Sequence, residues 1–269
     1  MNPRLRDLLL LLAAGVGCRH FSNYATADGP RYGAALPPQA TTASTALRVV
    51  TYNVKWGEHI DRAIQVLGTR TPLPGADIVA LQEMDPDATR RIAEALGMGY
   101  VYYPAGVHPK TRKEFGNAIL TRWPIIEDGK VMLPHLGRTR KSRRIAAAAT
   151  IRVRDFDVRV YSAHLGTQTD IGPARRRDQA RTILADAVHY PLVIIAGDMN
   201  SHGIGNEFRA GGFLWPTERN GFTTAVFNWD HIFLKGFTPP ATPRTGAGVV
   251  RDTLGTSDHD PVWAVALLP

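Results

Sequence analysis

With 269 residues, 44% of them apolar, and a formal net charge of +8 at pH 7, the chain has room for one large domain and carries a basic surface. Such a surface suits a polyanion, a phosphate-bearing lipid or the acidic outside of a cell, and does not choose among them. The single cysteine, Cys18, excludes a disulfide framework and a thiolate-held metal.

The chain opens with "MNPRLRDLLLLLAAGVGCRH", in which Arg4 and Arg6 precede an apolar run over residues 8–16. That run is shorter than the roughly 17 to 25 residues of a bilayer span, and no later stretch reaches that length, so residues 1–18 are predicted to be an export signal rather than a transmembrane helix. Small residues precede Cys18, as in a bacterial lipoprotein signal whose cysteine becomes a lipid anchor; a plain secretory cleavage is the alternative. Loss of residues 1–17 leaves a net charge of about +7. Residues 19–46 are rich in Ala, Thr, Pro and Gly without a sustained period and are predicted to be a flexible leader.

A globular domain is predicted over residues 47–269. "LRVVTYNV" has strand composition, "HIDRAIQVLGTR" is helix-like, and "ADIVALQEM" is a second apolar strand ending at Gln82 and Glu83. "YVYYPA", "FGNAILTRWPI" and "RRIAAAATIRVRD" are predicted as hairpin and edge strands. The opening pattern then returns: "FDVRVYSAHLG" is an alternating strand ending near His164, "RRRDQARTILADAVHY" an amphipathic helix, and "PLVIIAGDMN" a buried strand ending in Asp198 and Asn200. "AGGFLWP" reads as a small apolar patch in a loop, and "FTTAVFNWDHIFLKGF" and "DPVWAVALL" as further strand-like segments. The fold class is therefore α/β, with two packed mixed sheets and helices outside.

Ligand crevices in α/β sheets lie beyond the carboxyl ends of strands. Asn53, Glu83, His164, Asp198, Asn200, Asp230 and His259 all fall at or near such ends. Taken singly, each has a structural explanation: Asn53 a turn, Asp198 and Asn200 a helix cap, His164 a bonded core histidine. As a set, converging carboxylates repel one another and require compensation. A divalent cation supplies it, and carboxylate and amide oxygens suit Mg²⁺ or Mn²⁺.

The motifs "TYNV", "ALQE", "FGNAILTR", "SAHLG", "AGDMNS", "WDHIF" and "SDHDPV", in that order, resemble the endonuclease/exonuclease/phosphatase superfamily. Its members include DNase I-like nucleases, abasic-site endonucleases, neutral sphingomyelinases and inositol polyphosphate 5-phosphatases. The resemblance implies a DNase I-like four-layer α/β sandwich and a metal-dependent phosphoesterase, most simply a phosphodiesterase or nuclease that directs water in line at phosphorus. It implies Glu83 as the principal metal ligand with Asn53 beside it, Asp258 in or around the metal cluster, and Asp198 and Asn200 at the phosphate, Asp198 holding the attacking water or a metal. His259 would face the scissile phosphate, Asp230 would hold its imidazole in the protonated form, and His164 would donate to a non-bridging oxygen or assist the leaving group. Glu114 would orient His164, and Asn117 would contact substrate phosphate or support its loop.

"GRTRKSRR" places Arg138, Arg140, Lys141, Arg143 and Arg144 close together, either as a solvated loop or as a polyanion contact, with Arg144 directed toward the crevice. Arg177 or Arg176, together with Gln179, is expected to pack and hydrogen-bond first and to contact substrate second, and Trp56 to line the mouth. The substrate is a phosphoester: DNA is one candidate, a phospholipid or small phosphoester the alternative, and a non-catalytic binding module on the same scaffold the reading of another class. The enzyme is expected outside the cytoplasm, as a monomer.

Overall fold

The computed structural model describes residues 20–35, 45–109, 111–239 and 246–269. The predicted export signal and Cys18 lie outside these residues, and no helix among those described is long and apolar enough to cross a membrane.

Two short strands, β1 (Ser22–Asn23) and β2 (Tyr32–Ala34), precede β3 (Ala46–Asn53), helix α1 (Ile60–Thr69), β4 (Ile78–Met84) and helix α2 (Pro86–Leu96). Then come β5 (Gly99–Val107), β6 (Glu114–Thr121), β7 (Ile125–Met132), β8 (Ile145–Val153), β9 (Phe156–His164) and helix α3 (Pro173–Ala187). β10 (Leu192–Asp198), the short α4 (Gly205–Ala210), β11 (Asp230–Lys235), β12 (Ala247–Val249) and β13 (Val262–Leu267) follow. Eight strands form one sheet in the order β1, β5, β6, β4, β3, β13, β12, with β2 also on β5. Five form the other, in the order β11, β10, β9, β8, β7.

Period-two alternation builds the layers. In β3, Leu47 and Val49 face the second sheet, while Val50 and Tyr52 pack with Ile60, Val66 and Leu67 of α1 and Ile92 of α2. In β10, Ile194 and Ala196 face the first sheet, while Val193 and Ile195 meet Ala180 and Ile183 of α3 and Phe208 of α4. The result is helix, sheet, sheet, helix, the four-layer α/β sandwich expected from the sequence. Its two strand, helix, strand repeats are real: β3 and β4 pair in parallel across α1, and β9 and β10 across α3, as parallel neighbours joined by a crossover must.

The structure corrects several local expectations. β6 lies between β5 and β4, and β8 between β9 and β7, so neither is an edge. Both are almost wholly buried, which a run such as "AAAA" permits without signalling it by alternation. Residues 221–229 form a loop rather than a strand, closed by Thr223 N–H to Phe227 O at 2.7 Å and by the Thr224 hydroxyl on Phe227. The patch at "AGGFLWP" is not a surface feature, because Phe213 and Trp215 are buried against Phe208 and Phe233. Within the predicted leader, residues 20–35 are docked: β1 and β2 pair with β5, and Arg31 bonds Asp128 at 2.6 Å. Backbone pairing needs no apolar period, and so left no trace in the composition.

Gly197, just before the end of β10, has its strand neighbour so close that an added Cβ would sit 1.9 Å from the Ala163 carbonyl oxygen. Gly197→Ala is expected to cost at least about 2 kcal/mol, read as a lower midpoint in urea denaturation.

Candidate active site

The strand register does most of the assembly. Asp198 is paired with His164 on one side and Asp230 on the other, so three titratable side chains stand in a row at one end of the five-stranded sheet. Asn53, the last residue of β3, reaches them from the opposite sheet, its Nδ2 donating to Asp198 Oδ2 at 3.1 Å. Glu83 is turned toward them where β4 slips its register with β6 between Leu81 and Met84. Its backbone takes φ 59°, a left-handed value that costs energy for a side chain of this size. Its Oε1 lies 4.0 Å from His164 Nε2, which is itself 3.3 Å from Asp198 Oδ2.

His259 arrives on the loop before β13. Ser257 fixes that loop: its hydroxyl donates to the Asn53 carbonyl at 2.8 Å and accepts the His259 N–H at 3.2 Å. The ring then sets Nδ1 2.8 Å from Asp230 Oδ2 and Nε2 3.8 Å from Asp198 Oδ2. The pairing expected between Asp230 and His259 is therefore present. A further residue holds it, which the sequence reading missed: the Thr223 hydroxyl donates to Asp230 Oδ2 at 2.6 Å and accepts the Asp230 N–H at 3.1 Å. A threonine in the loop ahead of "WDHIF" was its only signal.

Charge is distributed unevenly across this cluster. Burial alone would depress the His259 pKa, but the carboxylates of Asp230 and Asp198 reverse that and hold it up at about 10, so the ring is an imidazolium at neutral pH. Burial pushes Glu83 up to about 7 against the pull of Arg144, and raises Asp198 to about 6 against the pull of His259. His164 moves the other way: burial, then the neighbouring Arg144 charge, hold it well below its ordinary value. Arg144 donates to His164 Nδ1 at 2.9 Å, which leaves the hydrogen of the neutral ring on Nε2, facing Asp198 and Glu83.

Of the other expected site residues, some keep the expected role and some are placed differently. Glu114 does not orient His164; it accepts the Tyr24 hydroxyl at 2.6 Å, and Arg144 occupies the orienting position instead. Asn117 supports rather than faces the crevice, its Nδ2 bridging the sheets to the carbonyls of Ile145 and Ser162, both at 3.0 Å. Gln82 and Ser162 continue that buried polar layer at 3.0 Å. Asn200, at φ 51°, closes the turn after β10: its N–H bonds Asp198 Oδ1 at 2.8 Å and its Nδ2 bonds the Leu165 carbonyl at 3.0 Å. Asp258 is exposed and meets the Ser257 hydroxyl at 3.4 Å, outside the buried cluster. Arg176 and Gln179 hold the loop after His164 through Gly166, at 2.9 and 2.8 Å. Trp56 lines a hollow beside Glu83 with His108, Lys113 and Phe115.

Asp198, Asp230 and His259 offer ligand atoms within 4.8 Å of one another, a buried cluster geometrically suited to a divalent cation. As an imidazolium, however, His259 has no lone pair to give. Acceptors around the cluster include Asp198, Glu83, the Asn53 carboxamide and the Asp230 Oδ1, which is buried and has no hydrogen-bond partner among the described residues.

Residues 50–259 match the Endonuclease/Exonuclease/phosphatase family. No curated protein sequence matches the chain. Among solved structures, the endonuclease/exonuclease/phosphatase from Beutenbergia cavernae superposes with a TM-score of 0.67 at 20% identity, over 83% of this chain and 72% of that one. The corresponding protein from Bacteroides vulgatus gives 0.68 at 14% identity, over 84% and 100%. A mannosyl-6-phosphatase from Bacteroides thetaiotaomicron gives 0.56 at 21% identity, over 81% and 98%. At such identities the likeness is one of fold.

Proposed function

Since the chain belongs to the endonuclease/exonuclease/phosphatase family, we propose that it is a Mg²⁺- or Mn²⁺-dependent phosphodiesterase that directs water in line at phosphorus. The observation that carries this reading is the Asp230 and His259 pair at 2.8 Å, set directly beside Asp198.

Glu83 and Asp198, with the Asn53 carboxamide next to them, are the groups that would hold the cation. Their fit rests on two carboxyls pushed up by burial, a condition that a cation relieves. When bound, the ion polarises a phosphoryl oxygen and offsets charge on the leaving group. The protein's own groups divide the remaining work. His259, charged and held by Asp230, presents Nε2–H to a phosphoryl oxygen and stabilises the pentacoordinate state. Asp198 lies within reach of both histidines and of Asn53, where it orients the attacking water. His164, neutral and pinned by Arg144, donates Nε2–H to a second oxygen or to the leaving group.

The test is a panel of bis-p-nitrophenyl phosphate, p-nitrophenyl phosphate and plasmid DNA, assayed with Mg²⁺, with Mn²⁺ and with EDTA. Diester hydrolysis that EDTA stops supports the reading; turnover of the monoester alone moves the enzyme to the phosphatase class of its Bacteroides thetaiotaomicron fold relative. No hydrolysis under any divalent ion would leave a binding module on a phosphoesterase scaffold.

A second substrate class has its own observation. Phe222, Val226 and Phe227 are 55%, 59% and 41% exposed on the loop that ends at Trp229, whose ring stacks on Phe227 at 4.4 Å and lies 6.2 Å from His259. An apolar rim this near the site favours a phospholipid over a soluble diester. Release of the phosphorylated headgroup from phospholipid vesicles, lost in Phe222→Ser with Phe227→Ser while bis-p-nitrophenyl phosphate turnover persists, is the expected result for that reading. Export rests on residues 1–18, and radiolabelled palmitate incorporation that Cys18→Ser abolishes would establish the lipid anchor.

A further inference from the structure

The arm of residues 20–35 lies outside the residues that match the family and docks beside the basic loop that carries Arg144. Its contacts with that loop run through the backbone and one side chain. The Phe21 N–H bonds the Arg140 carbonyl at 3.1 Å. Asn23 uses both ends of its carboxamide, Nδ2 donating to the Lys141 carbonyl at 2.6 Å and Oδ1 accepting the Arg143 N–H at 2.7 Å. Lys141, whose carbonyl takes the first of those bonds, has φ 54°, a left-handed conformation that a lysine does not favour by itself.

Beneath this clamp the arm also wedges an aromatic contact. The Phe21 ring meets His108 at 5.0 Å and Phe115 at 5.5 Å. Phe115 in turn lies under the Arg144 guanidinium at 5.6 Å and against the His164 ring at 6.2 Å. One residue beyond the Asn23 clamp, Arg144 makes its 2.9 Å bond to His164 Nδ1.

We propose that the N-terminal arm is a positioning element of the active site, in which Asn23 clamps the basic loop and Phe21 braces Phe115, so that Arg144 is held against His164. Asn23 is a positioning residue: it touches the loop and acts on the site only through Arg144. The loop is closed on itself by Gly137 N–H to Ser142 O at 2.9 Å, and the Asn23 bonds fix its outer limb rather than its existence. The arm therefore tunes a loop that the family scaffold already provides.

The test uses the full chain and two readouts. Arg138, Arg140, Lys141 and Arg143 are trypsin sites, so brief native proteolysis reports opening of this loop without reference to activity. Asn23→Leu, close in shape but without hydrogen bonds, is expected to speed cleavage within residues 138–143 about tenfold, since two hydrogen bonds are lost. It is expected to lower kcat on the diester about tenfold with little change in KM, because the loss falls on the groups facing the phosphate. Asn23→Asp keeps the acceptor for the Arg143 N–H and is expected to recover part of both effects.

Unchanged loop cleavage in Asn23→Leu overturns the proposal, as does cleavage that rises equally at the other exposed basic residues, which marks general destabilisation. Faster loop cleavage with wild-type kcat also overturns it, since the loop would then open without consequence for the site. The kinetic readout rests on the phosphoesterase reading and the proteolytic one does not. A wild-type chain without turnover, whose loop is still protected by Asn23, would thus fail the function while keeping the clamp.

Discussion

His259→Ala is expected to lower kcat/KM on a phosphodiester about a thousandfold at saturating Mg²⁺, with Asp230→Asn costing about a hundredfold and the double variant no more than His259→Ala alone. The non-additivity follows from the geometry. Asp230 is completely buried, and its Oδ2 accepts the Nδ1–H of the ring at 2.8 Å, so most of what it contributes to the site passes through the ring. The pH profile carries the sign. In the wild type the imidazolium persists up to about pH 10, held against burial by Asp230 and then Asp198. An asparagine at 230 removes the first of those charges and leaves burial to depress the ring. The alkaline limb of kcat/KM should therefore move to lower pH in Asp230→Asn, and activity below it should be partly retained. A profile that instead rises through the shifted pKa would show that the neutral ring is the active form, with His259 working as a base. Retention of more than a tenth of wild-type activity in His259→Ala would remove this residue from the chemistry.

Why some of the site was legible in the sequence and some was not follows from what builds each part. Asn53, His164 and Asp198 close apolar strands, and a strand end is readable from a run of buried residues followed by a polar one. Parallel pairing, which the second strand, helix, strand repeat implies, then sets His164 beside Asp198, and packing of the two sheets brings Asn53 to them. Glu83 was readable by position, but its aim comes from a register slip and a left-handed φ, neither of which leaves a mark in composition. Thr223 and Ser257 act through hydroxyls on loops, and a lone hydroxyl residue in a loop has many other uses. Glu114 shows the opposite failure. A motif placed a carboxylate near His164, yet Tyr24 of the docked arm takes it at 2.6 Å while Arg144 reaches the imidazole from the next loop. The arm itself was invisible because it is held by strand pairing and single side chains, without the apolar period that announces a core element.

Cation binding should appear as a pH-dependent gain in thermal stability that Glu83→Gln removes. In the cation-free protein, burial raises Glu83 to about 7 and Asp198 to about 6, above the values near 4 that carboxyls have in the unfolded chain. Below about pH 4 both states are protonated and these groups are neutral to stability. Between about 4 and 7 the folded protein keeps protons that the unfolded chain has released, so the stability of the cation-free protein falls as pH rises through that window. A divalent ion binds the folded, deprotonated carboxylates and competes with those same protons. Its effect on Tm should be near zero at pH 5 and grow to a plateau above about pH 7.5. At a hundred times Kd the gain is about 2.7 kcal/mol, or on the order of 5 to 10 °C for a chain of this size. Glu83→Gln deletes one charge and its raised pKa together, so the variant should be as stable as the wild type or more so without cation, gain little with it, and show a flatter Tm against pH. His259 imposes a separate loss as pH rises from about 6.5 through 10, since its folded-state pKa is the higher one, and no cation at Glu83 repairs that. A Tm gain with Mg²⁺ that is already full at pH 5, or that survives intact in Glu83→Gln, would place the ion away from these carboxylates.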